Sequence, residues 1–461
     1  MKKIITLLLG ATAIVSLAAC NSGKKPNFVC PEEFDAETPV TITFWHTMSA
    51  TKLQPTLEEV NAEFTALYPN VTINHQQVGG YDDVRDQVIT NMGTGDYPNV
   101  AYCYPDHVAI YNEAEITVSL DDVMSNSKYG LGGSELRFDG PVKEDYIQAF
   151  FEEGQQFGDG LTYTMPFLKS TEALFYNKTF FDKHELTVPT TWEEMWDVCA
   201  KIKAIDPTST PLGYDSESNL FITLAETYGY GYTSYNSFDF NNEGMRNLMK
   251  TFKENFDKGY FTTESIYGTY TNELMTDISQ KSKAYMCIGS TAGASYQVNA
   301  DGAFETGVTS VPKAAEGKAK CISQGPSLVI FKDENPQEVL ATWLYVQYLN
   351  SETVQARFAL ASGYLPITTT AAAIPQYKQF LDKAAGNVAG IAALATKQAL
   401  DQEANYYTSA VFVGSAYARD EVSSLFANIM LDATIDASNA DAKILEYFNA
   451  AIENCEYQAG F

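Results

Sequence analysis

Hydrophobic and polar positions follow two different periods along the first hundred residues, and the changes of period predict strands alternating with helices. The β-rich run 40–44 is followed by 51–68, where apolar residues recur at helical spacing. A strand at 71–78, a helix at 82–92 and a strand at 100–104 complete a βαβαβ order. This order favours a parallel sheet covered on both faces by helices.

The same alternation begins again beyond residue 160. The predicted later strands are 161–167, 173–176, 284–288, 307–311 and 327–331, and the predicted later helices are 192–205, 336–349 and 351–362. Two α/β units, with late strands returning to the first unit, fit this order better than a single barrel.

The first twenty residues form a targeting signal. Lys2 and Lys3 precede the apolar run 4–17, which is shorter than the about 20 residues that a membrane-spanning helix needs. Small residues then lead to Cys20, a pattern that resembles a bacterial lipoprotein signal. The resemblance implies removal of 1–19, lipid on Cys20 and a flexible tether over 20–37. An ordinary secretory signal, with an incidental cysteine, is the alternative.

The charge balance is strongly acidic. The chain of 461 residues has 30 Lys and Arg against 58 Asp and Glu, a formal charge of -28. Such a surface repels nucleic acid and anionic lipid headgroups, so we expect no nucleic-acid partner and membrane contact only through the lipid anchor. With 45% apolar residues, the composition also excludes a disordered or fibrous chain.

Motifs of catalysis and metal binding are missing from the sequence. It contains no P-loop, no HExxH and no CxxC, and none of its four histidines has a metal-ligand spacing. We therefore expect no enzyme activity, no metal and no cofactor. A carboxylate pair for glycoside hydrolysis stays open as an alternative, because 58 acidic residues always offer candidates. Cys30 and Cys455, near the two chain ends, are guessed as a disulfide.

Aromatic and small polar residues stand at the ends of predicted strands. In open α/β sheets ligands bind beyond the carboxyl ends of strands. A polyol needs flat apolar faces for its C–H groups and convergent polar groups for its hydroxyls. The residues at these ends are Trp45 with His46, Tyr104 with Asp106, Lys169 with Ser170, and Ser290 with Thr291.

Five short motifs occur in an order that resembles one protein family. They are 43–48 (TFWHTM), 95–100 (GDYPNV), 165–178 with MPF and LFYNK, 188–194 (VPTTWEE) and 363–367 (GYLPI). Together they resemble the extracellular solute-binding proteins of ABC importers, most closely the sugar and glycerol-3-phosphate binders. The resemblance covers nearly the whole mature chain.

The family fold implies two α/β lobes, each a mainly parallel sheet covered by helices, joined by a hinge of crossing strands. Lobe one is expected at 38–158 plus 308–357, and lobe two at 159–307 plus 358–461. The implied protein is a monomer on the outer face of the cytoplasmic membrane. It holds a small carbohydrate or related polyol between its lobes and delivers it to the permease subunits.

The resemblance also implies a set of ligand-binding residues. They are Trp45, His46, Tyr81, Tyr104, Asp106, Ser170, Asp215, Ser290, Gly325 and Tyr364. The glycerol-3-phosphate binders carry a phosphate-binding arginine in a glycine-rich segment, and 409–414 lacks it here. Lys169 or Arg419 could substitute for it, but neither stands at the motif position. The missing arginine favours a neutral carbohydrate, with a glycerol phosphate or glycerophosphodiester as the alternative.

Overall fold

The computed structural model describes residues 24–317, 319–383, 388–402 and 405–460. The predicted signal and Cys20, the predicted site of lipid attachment, lie outside these residues. Among them, no helix has the length and apolar character needed to cross a membrane.

Fourteen strands are present in the described part of the chain. They are β1 Val40–His46, β2 Val71–Gln77, β3 Val100–Cys103, β4 Thr164–Pro166, β5 Glu172–Asn177, β6 Leu212–Tyr214, β7 Thr233–Ser234, β8 Ser237–Phe238, β9 Phe261–Thr263, β10 Met286–Ser290, β11 Thr306–Thr309, β12 Cys321–Ile322, β13 Ser327–Ile330 and β14 Tyr406–Tyr407.

Helices surround these strands. The α-helices are α1 Gln54–Leu67, α2 Tyr81–Asn91, α3 Pro105–Glu113, α4 Asp121–Ser125, α5 Gln148–Glu153, α6 Lys178–Lys183, α7 Trp192–Ile205, α8 Glu217–Tyr228, α9 Glu243–Asp257, α10 Glu264–Tyr267, α11 Asn272–Thr276, α12 Pro336–Leu349, α13 Glu352–Ser362, α14 Thr369–Ala373, α15 Pro375–Leu381, α16 Val388–Asp401, α17 Ser415–Leu431 and α18 Ala440–Ala459. Two 3-10 helices cover Lys143–Asp145 and Thr291–Tyr296.

Two five-stranded sheets organise the molecule. The first has the order β2-β1-β3-β13-β4, and the second has the order β11-β5-β10-β6-β9. In the first sheet β1 is parallel to β2 and β3, whereas β13 is antiparallel to β3 and β4. In the second sheet β6 is parallel to β10 and β9, whereas β5 is antiparallel to β10 and β11.

The predicted α/β class with two lobes is confirmed, but each sheet is mixed rather than mainly parallel. The parallel strands are joined through helices, as in βαβ units. The antiparallel strands are β13, β4, β5 and β11. Each of them comes before or after a chain segment that passes between the sheets, so its direction is not set by a helical crossover. β4 belongs to the first sheet, although 159–307 was expected in lobe two. β11 belongs to the second sheet, although 308–357 was expected in lobe one. The other lobe limits stay proposals.

The two sheets are connected by chain segments that run side by side. Ser170 and Gln324 exchange backbone hydrogen bonds of 2.9 Å in both directions, and the carbonyl of Lys169 accepts from the amide of Leu365 at 2.6 Å. Gly325 has φ of +92°, and a Cβ there would lie 2.1 Å from the carbonyl oxygen of Leu168. Only glycine allows so close an approach. We call residues 168–171, 323–326 and 363–365 the hinge segments.

A buried ion pair lies at the hinge segments. The Lys169 Nζ is 2.6 Å from the Glu153 carboxylate, with side chains 0% and 5% exposed. The same ammonium donates to the Gly325 carbonyl at 3.1 Å and to the Ser327 hydroxyl at 2.9 Å. The charge of Lys169 is thus fully engaged inside the protein, which removes it as a phosphate ligand.

Each sheet has its own hydrophobic core. Phe44, Phe150 and Trp343 belong to the core around the first sheet. That core also contains Cys30, whereas Cys455 lies in the core around the second sheet. All six described cysteines are free and buried. The guess of a disulfide between the two chain ends is therefore wrong.

Candidate functional site

An open cleft of about 730 Å³ lies between the two sheets. Its walls are built where strands end. Tyr104 follows β3, Asp215 follows β6, Glu264 follows β9, and Ser290 ends β10. Glu172 starts β5, and because β5 is antiparallel to β10, it pairs with Ser290 at the same edge of the second sheet. The topology therefore brings polar side chains from distant parts of the sequence into one space.

The cleft has contributions from the first lobe, the hinge segments and the second lobe. From the first lobe and the hinge segments come Ser49, Lys52, Leu53, Tyr104, Ser170, Gln324, Gly325, Ser362 and Tyr364. From the second lobe come Glu172, Asp215, Ser216, Ser218, Asn219, Glu264, Tyr270, Asn272, Glu273, Ser290, Tyr296, Gln297 and Arg419. Hydroxyls, amides and carboxylates dominate this lining, so the cleft suits a ligand rich in hydrogen-bonding groups.

A cluster of tyrosines lies on the first-lobe side. The rings of Tyr81 and Tyr104 are 4.6 Å apart between centroids, and Tyr81 also stacks near Tyr102 at 6.4 Å. Burial, followed by the proximity of Tyr364 and Tyr104, raises the pKa of Tyr81 well above its usual value. Burial also raises the pKa values of Tyr102, Tyr104 and Tyr364. These hydroxyls therefore stay protonated at neutral pH, where they can donate and accept hydrogen bonds.

Arg419 of α17 joins the cleft to two neighbouring cavities. It lines the main cleft, a small cavity of about 60 Å³ and a second opening of about 530 Å³, and Tyr104 lines all three as well. The guanidinium donates to the Asn219 side-chain carbonyl and lies 6.0 Å from the ring centre of Tyr104. A cation from the second lobe thus stands over an aromatic ring of the first.

Two carboxylates are held rigidly at the second-lobe wall. Asp215 accepts hydrogen bonds from the Thr271 amide at 2.7 Å and its hydroxyl at 2.6 Å. Glu172 accepts from the Tyr214 hydroxyl and from Asn219 at 3.1 Å. Burial raises the pKa of both carboxyls, that of Glu172 to about 7. These fixed acceptors are suited to bind hydroxyl or N–H donors.

One contact bridges the mouth of the cleft. Lys52, just before α1 in the first lobe, donates to the Tyr296 hydroxyl of the second lobe at 2.9 Å. Its ammonium also lies 4.8 Å from the centre of the same ring. The two lobes therefore touch at the rim as well as at the hinge segments.

Most of the predicted site residues lie together in the structure. Tyr104, Ser170, Asp215, Ser290, Gly325 and Tyr364 line the main cleft. Tyr81 and Asp106 line the adjoining opening of about 530 Å³. Their selection from strand ends and motif positions thus led to one region of the molecule.

Trp45 and His46 lie elsewhere. Both are inside β1, and neither is among the residues that line the three cavities. Trp45 packs against the apolar cluster that includes Val84 of α2. His46 is fully buried, its Nε2 is 3.0 Å from the His75 Nδ1, and burial lowers its pKa to about 4. The strand extends two residues further than the sequence predicted, which turns both side chains into the fold.

Most of the residues that line the main cleft were missed as site residues in the sequence. Glu172, Asn219 and Glu264 carry no motif, although Glu172 directly precedes a predicted strand. Arg419 was considered only as a replacement phosphate ligand. Because Arg419 lines the cleft, the missing arginine in 409–414 is weaker evidence for a neutral carbohydrate.

Comparison with protein families gives the classification. Residues 59–385 match the model of the bacterial extracellular solute-binding proteins. The chain belongs to this family. The resemblance predicted from the sequence, an extracellular solute-binding protein of an ABC importer, is confirmed.

This solute-binding protein also has characterised relatives. It is 24% identical over 404 residues to the sn-glycerol-3-phosphate-binding periplasmic protein UgpB of Escherichia coli, covering 83% of this chain and 85% of the relative. UgpB from Mycobacterium tuberculosis, solved with glycerophosphocholine, superimposes with a TM-score of 0.70 at 19% identity, over 90% of this chain and 98% of that one. The GacH receptor of Streptomyces glaucescens, also solved with acarbose, gives 0.67 at 17% identity, over 91% and 100%.

Proposed function

We propose that this solute-binding protein captures a carbohydrate or related polyol in the cleft between its lobes and delivers it to the permease of an ABC importer. The observation that carries the proposal is the lining of the 730 Å³ cleft, in which tyrosines stand opposite fixed hydroxyls, amides and carboxylates. Tyrosine faces contact the C–H surface of a sugar, and the polar groups satisfy its hydroxyls.

Closure of the two lobes is the proposed mechanism. A ligand that contacts Tyr104 and Tyr364 on one side and Asp215 and Glu172 on the other stabilises the closed arrangement by its differential affinity for that state. The hinge segments absorb the movement. The protein makes and breaks no covalent bond in this mechanism, and it needs no cofactor.

A second candidate ligand is a glycerol phosphate or glycerophosphodiester. It is favoured by Arg419, since a guanidinium is a natural phosphate ligand, and by the UgpB relatives. Against it stands the charge of the lining. Four carboxylates line the main cleft against two cationic side chains, Lys52 and Arg419, within the described residues. An anion alone is therefore the weaker candidate.

The attachment of the protein completes the proposal. Cys20 carries a lipid that holds the mature monomer to the outer face of the cytoplasmic membrane. The flexible tether is shorter than the predicted 20–37, because the Asn27 side chain accepts from the Ser119 amide at 2.8 Å and Cys30 is buried in the first core. The tether leaves the lobes free to close and to meet the permease.

The proposed function is tested by calorimetric titration of the purified mature chain. The ligands are a panel of mono- and oligosaccharides, with glycerol-3-phosphate and glycerophosphocholine run in parallel. Tight binding of one sugar, recovered unchanged after incubation, is the expected result. Binding of glycerol-3-phosphate alone would favour the second candidate. Hydrolysis of a bound oligosaccharide, detected by chromatography, would identify a glycoside hydrolase instead.

A further inference from the structure

The second-lobe wall of the cleft carries three carboxylates that form no ion pair with any cationic side chain in the described part of the chain. Asp215, Glu264 and Glu273 line this wall. Among the described residues that line the cleft, the cationic side chains Lys52 and Arg419 donate to a tyrosine hydroxyl and an amide, and they form no ion pair with these acids. These acids therefore face the ligand space without a positive partner.

Glu264 shows this most clearly. Its carboxyl makes no hydrogen bond or ion pair with any described residue, and its charged neighbours are Asp215 and Glu217. Burial, then Asp215 and then Glu217 raise the pKa of Glu264 to about 7. A carboxyl with a raised pKa beside other carboxyls lacks a positive partner.

An independent feature beside these acids also needs a donor. Gln297 is 2% exposed, and within the described structure its Oε1 has no hydrogen-bond partner. It lines the cleft next to Asp215, because a Cβ on Gly289 would lie 2.5 Å from the Asp215 Oδ2 and 3.3 Å from the Gln297 Nε2. A buried acceptor left unpaired is costly, so a ligand that brings N–H or O–H donors gains here.

An aromatic ring completes the environment. Tyr270 lines the cleft and is 60% exposed. The amide of Thr271, the next residue, donates to the Asp215 carboxylate at 2.7 Å, so this acid lies beside Tyr270. Partial burial, then Glu264, Asp215 and Tyr364 raise the pKa of Tyr270. Carboxylates beside aromatic faces attract a positively charged nitrogen, both as a protonated amine and as a quaternary ammonium.

We propose that the ligand is a carbohydrate or related polyol that carries a positively charged nitrogen, and that this nitrogen binds between Glu264, Asp215 and Tyr270. This proposal rests on the proposed function and narrows its substrate class. A neutral sugar leaves the acids without a counter-charge, and a phosphate monoester is repelled by them. An amino sugar and a choline phosphodiester share the required chemistry.

Matched ligands test the proposal on the full mature chain. Glucose is compared with glucosamine, and glycerol-3-phosphate with glycerophosphocholine, by calorimetric titration at low salt. We expect the member with the positive nitrogen to bind at least tenfold more tightly in one of the pairs. The pair that responds distinguishes a protonated amine from a quaternary ammonium.

A charge-removing variant locates the effect. Glu264→Gln keeps the size of the side chain and breaks no native hydrogen bond, so the fold should persist. It should remove most of the tenfold preference. The affinity for glucose should stay unchanged, and the affinity for glycerol-3-phosphate should not fall, because that ligand is itself an anion. Glu58→Gln, at an exposed position on α1, is the matched control and should keep the preference.

The outcomes separate this inference from the proposed function. If neutral sugars bind as tightly as amino sugars and glycerophosphocholine gains nothing over glycerol-3-phosphate, the charged nitrogen is refuted while carbohydrate binding stands. If choline alone binds as well as glycerophosphocholine, the site for the positively charged nitrogen stands, but the proposal that the protein binds a polyol is refuted. If no ligand of either pair and no sugar of the panel binds, both proposals fail.

Discussion

Tyr364 and Trp45 offer a matched test of the site. Both are partly buried aromatics, but Tyr364 lines the cleft, whereas Trp45 packs under α2. Tyr364→Ala removes a ligand-facing ring and should weaken binding by ~1–3 kcal/mol. This corresponds to about 5–150-fold in the dissociation constant. Trp45→Ala should leave affinity unchanged.

The free energy of unfolding should show the opposite order, with the larger loss in Trp45→Ala. Trp45→Ala should lower the free energy of unfolding by roughly 2 kcal/mol, less than the ~3–5 kcal/mol of a fully buried ring, since Trp45 is only partly buried. Titration calorimetry measures the affinities, urea denaturation measures the stabilities, and Tyr364→Phe isolates the hydroxyl. Equal affinity of Tyr364→Ala and the native protein would refute the site assignment, as would a large affinity loss in Trp45→Ala.

Three further predictions concern the hinge, the anchor and pH. Glu153→Gln should lower the free energy of unfolding by ~3–5 kcal/mol in urea denaturation, because it leaves the Lys169 charge buried alone. The double variant Glu153→Leu, Lys169→Met should recover much of the lost stability, and no recovery would contradict this account of the ion pair. Cys20→Ser should leave unlipidated protein with native affinity, measured by fractionation and titration; native protein found wholly in the culture medium would oppose it. The pKa of His46 is about 4, below its usual 6.5, so stability should fall from pH 6.5 to pH 4 as the unfolded chain takes up a proton. His46→Gln should flatten that fall in pH-dependent denaturation, and an unchanged slope would count against it.

The elements of the fold were predictable where local sequence determines them. The helices 192–205 and 336–349 have the bounds that the pattern predicts, and Thr191 caps the first by accepting from the Glu194 amide at 3.2 Å. The directions of β5 and β13 were not predictable, because they depend on pairings between residues far apart in the chain. Hydrophobic periodicity identifies a strand, but it does not identify the partner of that strand or the direction of the pairing.

The site was predictable only in part, for a similar reason. Asp215 and Ser290 stand at strand ends, so their place in the cleft follows from topology. Arg419 and Glu264 reach the same cleft from a helix and from the end of a three-residue strand, neither of which has a recognisable motif. Trp45 was misplaced because the end of β1 differs from the prediction by two residues, and strand ends are set by pairing with β2 and β3.

Blocking the cleft tests most directly the claim that the ligand binds between the lobes. Gly293 lines the cleft, and a Cβ there meets no atom within 4 Å, so Gly293→Trp places an indole in the ligand space without a clash. Gly93→Trp, at a position equally free of neighbours but outside the cleft, is the control. Titration of the best ligand of the panel should show at least a hundredfold loss of affinity for Gly293→Trp and none for Gly93→Trp. Native affinity in a folded Gly293→Trp variant would contradict binding in this cleft.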